Sequence, residues 1–362
     1  MAPEFAPGLQ LAREFYVTVV RPLLDEEFSP VPYAAALIGP GSEVAGFDSA
    51  RSTDHDWGPR LQIFLSDGDA ERHATALTAM LASRLPESFR GYPVAFPVTR
   101  GPGTVRHRVE VTGLGARLIS HLGFDPRHAV TLLDWLATPA QRLAEFTTGE
   151  VFHDGPGELS RARDTMAWYP HDLWLYLLAC QWQRIGQEEA FPGRCAEAGD
   201  DLGSAIVTAR LARDLMRLCL LMHRRYPPYS KWLGSAFARL PDTGGLTASL
   251  AAALSAGSWP AREQYLCGAY ETVAAMHNQL GLTRPLKTRT RGFYDRPYRV
   301  IHASRFTGVL REAITDPQIR RLPLAGAVDQ FVDNTDAAGD LRFLRACATA
   351  SWVGETPGPD GG

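Results

Sequence analysis

Asp54 and Asp56, two aspartates one residue apart, are spaced for chemistry. Alternation along a strand puts both carboxylates on one face, with His55 and Trp57 on the other. Side by side they repel unless a cation lies between them. Magnesium suits such a pair, being a hard ion that takes oxygen ligands and keeps room for substrate phosphates. Upstream, with eleven residues between, stands Gly41-Ser42, a turn whose backbone N–H groups can approach a phosphate because glycine has no side chain in the way. An Asp-x-Asp alone ordinarily marks a solvated strand end. The apolar run Ala34–Ile38, ended by Gly39-Pro40-Gly41-Ser42 at this distance, favours the chemical reading. Arg60 is placed to reach a phosphate, with an ion pair to Asp56 as the alternative.

Two further residues join this set. In Arg106-His107-Arg108-Val109-Glu110-Val111, alternation places Arg106, Arg108 and Glu110 on one face. A glutamate near a metal site can accept a hydroxyl proton or complete the metal shell; the plain alternative is a surface ion pair with a neighbouring arginine. Lys231, in Tyr226-Pro227-Pro228-Tyr229-Ser230-Lys231-Trp232, stands where a helix begins. There the ammonium and the helix dipole both direct positive charge at a polyanion, although most lysines are simply solvated.

The order of apolar strand, Gly-Ser, about a dozen residues and Asp-x-Asp resembles the signature of the DNA polymerase beta-type nucleotidyltransferase superfamily. Within it, the chain resembles bacterial adenylyltransferases of the streptomycin/spectinomycin type. It resembles more fully a bacterial family of uncharacterised nucleotidyltransferase-like proteins, DUF4037, including the wording Ser52-Thr53-Asp54-His55-Asp56-Trp57. The superfamily motif covers residues 33–111, and thinner adenylyltransferase-like features, among them Arg239-Leu240-Pro241, extend to about residue 270.

The resemblance implies a site in which Asp54, Asp56 and Glu110 bind magnesium and act in catalysis, Glu110 as the third carboxylate. Gly41 and Ser42 would hold the triphosphate with Arg60, and Lys231 would neutralise its β- and γ-phosphates. The expected reaction moves a nucleoside monophosphate, AMP from ATP or its equivalent from another nucleoside triphosphate, to a hydroxyl of a small-molecule acceptor and releases pyrophosphate. Two alternatives remain open: nucleotidylation of a protein or RNA acceptor, and a non-catalytic nucleotide-binding regulatory module.

The elements that must position these residues follow from periodicity. Leu9–Phe28 carries apolar residues at helical spacing, Ala34–Ile38 reads as a buried strand, and a second strand is expected from Asp54 to Leu65. Residues 69–85 read as helix, and 92–97 and 105–111 as strands. Beyond about residue 125 helical patterns dominate, at 126–147, 161–186, 200–225, 231–240, 245–256, 261–281 and 302–314. The expected fold is α+β: a nucleotidyltransferase domain with a small mixed sheet over 1–125, then a helical bundle over 126–352, with the active site in the cleft between them. The Gly- and Pro-rich 353–362 is expected to be a disordered tail.

Other signals are set aside. Gly113-Leu114-Gly115 follows a strand, but the third glycine of a dinucleotide fingerprint is replaced by Leu118, so it reads as a structural turn. There is no phosphate loop, nucleophile elbow or zinc-ligand spacing. Glu188, Glu189, Glu197, Asp200 and Asp201 form an acidic stretch that is either a solvated loop or a site for a cationic acceptor. Arg284–Phe306, with seven Lys or Arg and four aromatics, is either a packed surface strand or loop, or a grip for base and phosphate.

Composition bounds the rest. The 362 residues are 45% hydrophobic and 21% charged, the balance of a soluble globular protein. A net charge of −3 argues against a protein whose main role is coating nucleic acid. Five scattered cysteines fit a reducing compartment, and the N-terminus lacks the basic start and apolar core of a signal peptide. No membrane-spanning run is present, and a cytoplasmic location is expected.

Overall fold

Leu61, Ile63 and Leu65 point from one face of strand β2 (Leu61–Leu65) into a core built with Phe15, Tyr16, Val20, Leu24, Leu77 and Leu81. Gln62 and Phe64 point the other way, and all five residues are buried, so both faces of this strand are covered. The computed structural model describes residues 4–54, 57–97, 105–241, 243 and 245–352. It is an α+β chain that divides into two compact units, residues 1–134 with 142–167, and residues 135–141 with 168–362.

The first unit opens with α1 (Gly8–Phe15), a π-helical turn at Tyr16–Val20, and α2 (Arg21–Glu27). Its sheet has the order β7-β2-β1-β8, with β1 at Ala34–Leu37, β7 at Val109–Gly113 and β8 at Glu150–Asp154. β1 runs antiparallel to β2 and β8, whereas β2 and β7 are parallel. The intervening α3 (Asp67–Arg84) packs on this parallel pair, and Ser66 caps it by accepting the Asp69 amide at 3.1 Å. Four short strands, β3 (Ser88–Phe89), β4 (Tyr92–Pro93), β5 (Ala95–Pro97) and β6 (Val105–His107), make two small hairpin ladders beside it.

Several expectations are corrected here. The strand expected from Asp54 starts only at Leu61; Ala50–Asp54 is a 3-10 turn. The strand expected over 105–111 breaks at Arg108, because β6 pairs with β5 and β7 with β2. Arg106 and Glu110 therefore belong to different ladders. Prolines divide two expected helices. Pro139 separates α5 (Leu132–Ala137) from α6 (Ala140–Thr147), and Pro170 stands between α7 (Glu158–Thr165) and α8 (His171–Glu188). The sheet domain reaches past residue 125, since its fourth strand is β8.

The second unit is helical: α8, α9 (Phe191–Glu197), α10 (Asp201–Met222), α11 (Ser230–Ala238), α12 (Leu246–Ser255), α13 (Trp259–Gln279), a hairpin of β9 (Arg291–Gly292) and β10 (Arg299–Val300), then α14 (Ser304–Ala313), α15 (Pro317–Arg320) and α16 (Leu341–Trp352). Trp182 of α8 stacks on Phe306 of α14 at 4.3 Å in its buried interior. Among the described residues no helix is long and apolar enough to cross a membrane. The expected tail, 353–362, lies outside the described residues.

Candidate functional site

Strand register brings three expected site segments to one end of the sheet. Because β1 and β2 are antiparallel with Ala36 opposite Gln62, the turn that leaves β1 and the segment that enters β2 share that end. Because β2 and β7 are parallel with Gln62 opposite Glu110, the start of β7 lies there too. Gly39–Ser42, the stretch ending at Asp54, and Glu110 are thus grouped by topology.

The turn after β1 is held from both sides. The buried Gln62 amide clasps Ile38, accepting its N–H at 3.1 Å and donating to its carbonyl at 3.0 Å. Gly39, at φ 96°, occupies the left-handed region that glycine tolerates, and its amide donates to Glu145 O at 2.8 Å. Any side chain at Gly41 would run into Arg60 and Glu43. Arg60 donates through Nε to Glu43 Oε1 at 2.6 Å and through a terminal nitrogen to Pro40 O at 2.8 Å. The ion pair of Arg60 therefore engages Glu43, itself buried, and ties the entry of β2 to the turn.

Asp54 ends the 3-10 turn Ala50–Asp54 instead of lying on a strand, so the shared-face geometry expected for Asp54 and Asp56 does not arise from β alternation. Asp56, with His55, lies outside the described residues, as does the Asp54 side chain. The segment is anchored on both sides: Ser49 and Ser52 bond to one another, and Trp57 is buried with Leu11 and Tyr92. Asp48 accepts both the Trp57 indole N–H at 3.0 Å and the Gly8 amide at 2.7 Å.

Glu110 is half-exposed, and its side chain meets Arg117 of α4 (Leu114–Leu122) at 3.4 Å. The pairing arginine is thus Arg117, not a neighbour on its own strand. Arg117 also abuts the Gly39 backbone, where an added Cβ would sit 3.0 Å from its guanidinium. With Ile38, Phe64, Leu118, His121 and Phe146 it lines a small hollow on the Glu110 face of the sheet. Burial first, then the charges of Arg117 and Arg142, pushes the His121 imidazole down to about 4, and its Nε2 lies 3.1 Å from Arg142 O. The hollow is therefore lined by a neutral imidazole and one guanidinium at neutral pH. Arg117 carries no motif, and only the packing of α4 places it. Gln62 left a legible trace, as the one polar residue in Leu61-Gln62-Ile63-Phe64-Leu65.

The turn Gly113-Leu114-Gly115 is structural. Asp67 packs against both glycines, and its Oδ1 accepts the Ala116 amide at 3.2 Å. Lys231 lies in the second unit, exposed on the first turn of α11, with its ammonium 4.8 Å from the Trp232 ring centroid. The acidic stretch there has partners throughout. Glu188 pairs with Arg210, Glu197 with Arg296, Asp201 with Arg262, Asp200 caps α10, and Glu189 accepts backbone amides. Its carboxylates serve the fold and do not converge on an acceptor.

Among the described residues no three His, Cys, Asp or Glu side chains are grouped for a metal ion. Two of the three expected ligands, Asp56 and the side chain of Asp54, fall outside them.

No curated protein matches the chain in sequence. The solved structure of a nucleotidyltransferase-like protein from Exiguobacterium sibiricum is similar at 11% identity and a TM-score of 0.33, over 75% of this chain and 77% of that one. Residues 135–233 match the domain of unknown function DUF4037, a stretch that includes β8 and Lys231 and leaves Asp54, Asp56 and Glu110 outside it. The resemblance to DUF4037 is thus matched by that domain over residues 135–233, and the Ser52–Trp57 wording lies outside the matched stretch.

Proposed function

We propose that the chain is a metal-dependent nucleotidyltransferase that moves AMP from ATP to a hydroxyl of a small-molecule acceptor and releases pyrophosphate. The observation that supports this reading is the convergence, at one end of the β7-β2-β1 sheet, of a glycine turn, the approach to the Asp54–Asp56 segment, and Glu110. Two aspartates and a glutamate form an all-oxygen donor set, which fits magnesium. Asp54, Asp56 and Glu110 are the residues assigned to hold it. When bound, the ion supplies Lewis-acid polarisation of the phosphoryl oxygens and charge neutralisation.

The chain's own residues supply the remainder. In the Gly39–Ser42 turn, clasped by Gln62 and Arg60, the Gly39 amide is bonded to Glu145 O and Pro40 has none, so the amides of Gly41 and Ser42 are the ones assigned to the triphosphate. Arg117 contributes a fixed positive charge beside that turn. Glu110 accepts the proton of the acceptor hydroxyl as its oxygen attacks the α-phosphorus in line, and the bond to pyrophosphate breaks. For Lys231, in the second unit, the phosphate-neutralising role is carried by the resemblance alone.

Isothermal titration of the full chain with ATP and magnesium tests the assignment. Asp54→Ala combined with Asp56→Ala is expected to weaken nucleotide binding at least tenfold, roughly the loss of one charge-assisted contact or more. Equal affinity in both proteins would overturn the reading. Labelled ATP incubated with metabolite pools, with pyrophosphate release as the readout, identifies the acceptor.

A further inference from the structure

The basic, aromatic segment Arg284–Phe306 folds into a hairpin whose base and tip differ in exposure. At the base, Tyr298 and Val300 are buried with Ala190, and Phe293 stacks on Tyr298 at 5.8 Å. The Glu189 carboxylate accepts the amides of Ile301 at 2.9 Å and Ala303 at 3.1 Å. The turn is closed by Phe293 N–H to Tyr298 O and Arg296 N–H to Phe293 O. At the tip, Tyr294 is 87% exposed and holds φ 56°, a left-handed conformation that costs a bulky aromatic residue free energy. Its ring touches Phe293 edge-on at 4.9 Å. A firmly anchored hairpin thus presents a strained aromatic ring to solvent.

The charge around that ring is incompletely balanced. Arg289 and Arg296 pair with Glu271 and Glu197, and Arg305 is engaged by the carbonyls of Ile301 and Lys287. Arg284, Lys287 and Arg291 are exposed and have no carboxylate partner among the described residues. Burial first, and then the nearby charges of Arg291 and Arg305, lowers the His302 pKa, against the pull of the Gly292 carbonyl. The segment that carries the ring thus holds three cations without a carboxylate partner among the described residues, against one acid, Asp295.

We propose that this hairpin is a binding surface for single-stranded nucleic acid, with Tyr294 stacking on a base and Arg291 and Lys287 contacting phosphates. An acidic peptide would match the cations and leave the ring unused, and a duplex hides the faces of its bases. Unpaired bases offer both a flat π face and a phosphate backbone. The net charge of −3 bears on the chain as a whole and leaves room for this local patch.

Fluorescence anisotropy of the full chain with labelled oligoadenylate and its deoxy counterpart, over a range of salt concentrations, tests the proposal without any need for catalysis. Tyr294→Ala is expected to weaken binding roughly tenfold, and Tyr294→Phe to retain it. Arg291→Ala should weaken all sequences evenly and reduce the salt slope by about one. Binding of either oligonucleotide with these responses supports the surface, and a difference between the two identifies the sugar preferred. Absence of binding, equal affinity of Tyr294→Ala and wild type, or displacement by polyglutamate as effective as by unlabelled oligonucleotide would each overturn it. Because Tyr294 is exposed, its replacement leaves the core intact.

Discussion

Gln62 shows how much one polar side chain can determine at this sheet. It stands among apolar neighbours, buried, and its amide replaces the backbone ladder just where β1 ends and the glycine turn begins. Gln62→Leu would keep the volume and strand propensity while leaving the Ile38 N–H and carbonyl without that partner. The expected loss is about 1–3 kcal/mol for each unpaired buried group, read as a lower urea midpoint at unchanged slope. A midpoint within error of wild type would mean that water or a shifted backbone replaces the clasp. The same residue marks what the sequence makes visible. A lone Gln in a hydrophobic strand asks for a buried partner, but nothing in the linear order says that the partner is Ile38. Likewise Glu110 was identifiable as an acid on a strand, whereas Arg117, which meets it, depends on the packing of α4.

At the scale of elements, Glu189 joins α8 to the segment entering α14. Burial pushes its carboxyl up to about 7 from an ordinary 4.5, although the amides of Ile301 and Ala303 pull it down. Between those two values the folded chain binds more protons than the unfolded chain, so this group's contribution to stability is complete below about 4.5 and declines as pH rises through about 7. Glu189→Gln cannot ionise. The difference in Tm between wild type and this variant is therefore expected to favour wild type most at low pH and to shrink toward pH 8. A difference independent of pH would show that Glu189 ionises in the folded chain as it does in water. Long periodic helices such as α10 were legible from apolar spacing alone. Those interrupted by Pro139 and Pro170 were drawn too long, because periodicity continued across residues that cannot continue the helix. The start of β2 was drawn too early for a related reason. Asp54-His55-Asp56-Trp57 alternates like a strand, yet Ala50–Asp54 closes a 3-10 turn through local Ser and Thr hydrogen bonds.

At the scale of the whole chain, the division into units is discontinuous in sequence. β8, which follows two helices, returns to pair with β1, so β1 is an interior strand and all four of its residues are buried. Glu150-Val151-Phe152-His153-Asp154 is short and half-buried, with polar residues at most positions, and so leaves no strand signal in the linear order. A fragment of residues 1–125 would expose the Ala34–Leu37 edge and is expected to aggregate, whereas residues 1–167 should give more soluble protein by size-exclusion chromatography. Equal solubility of the two would mean that β1 does not need its outer partner.

The carboxylate of Asp67 has a consequence for where anions can go. It lies against the first turn of α4, accepts the Ala116 amide, and forms an ion pair with Arg127 at 3.6 Å. The helix start, which in other glycine turns draws in a pyrophosphate, is answered here from within by a side chain of the same fold that is itself paired with Arg127. Under the function proposed above, that occupied helix start leaves the turn at Gly39, beside Arg117, as the place to receive a polyphosphate. Asp67, with no part in the proposed chemistry, narrows where a phosphate can settle.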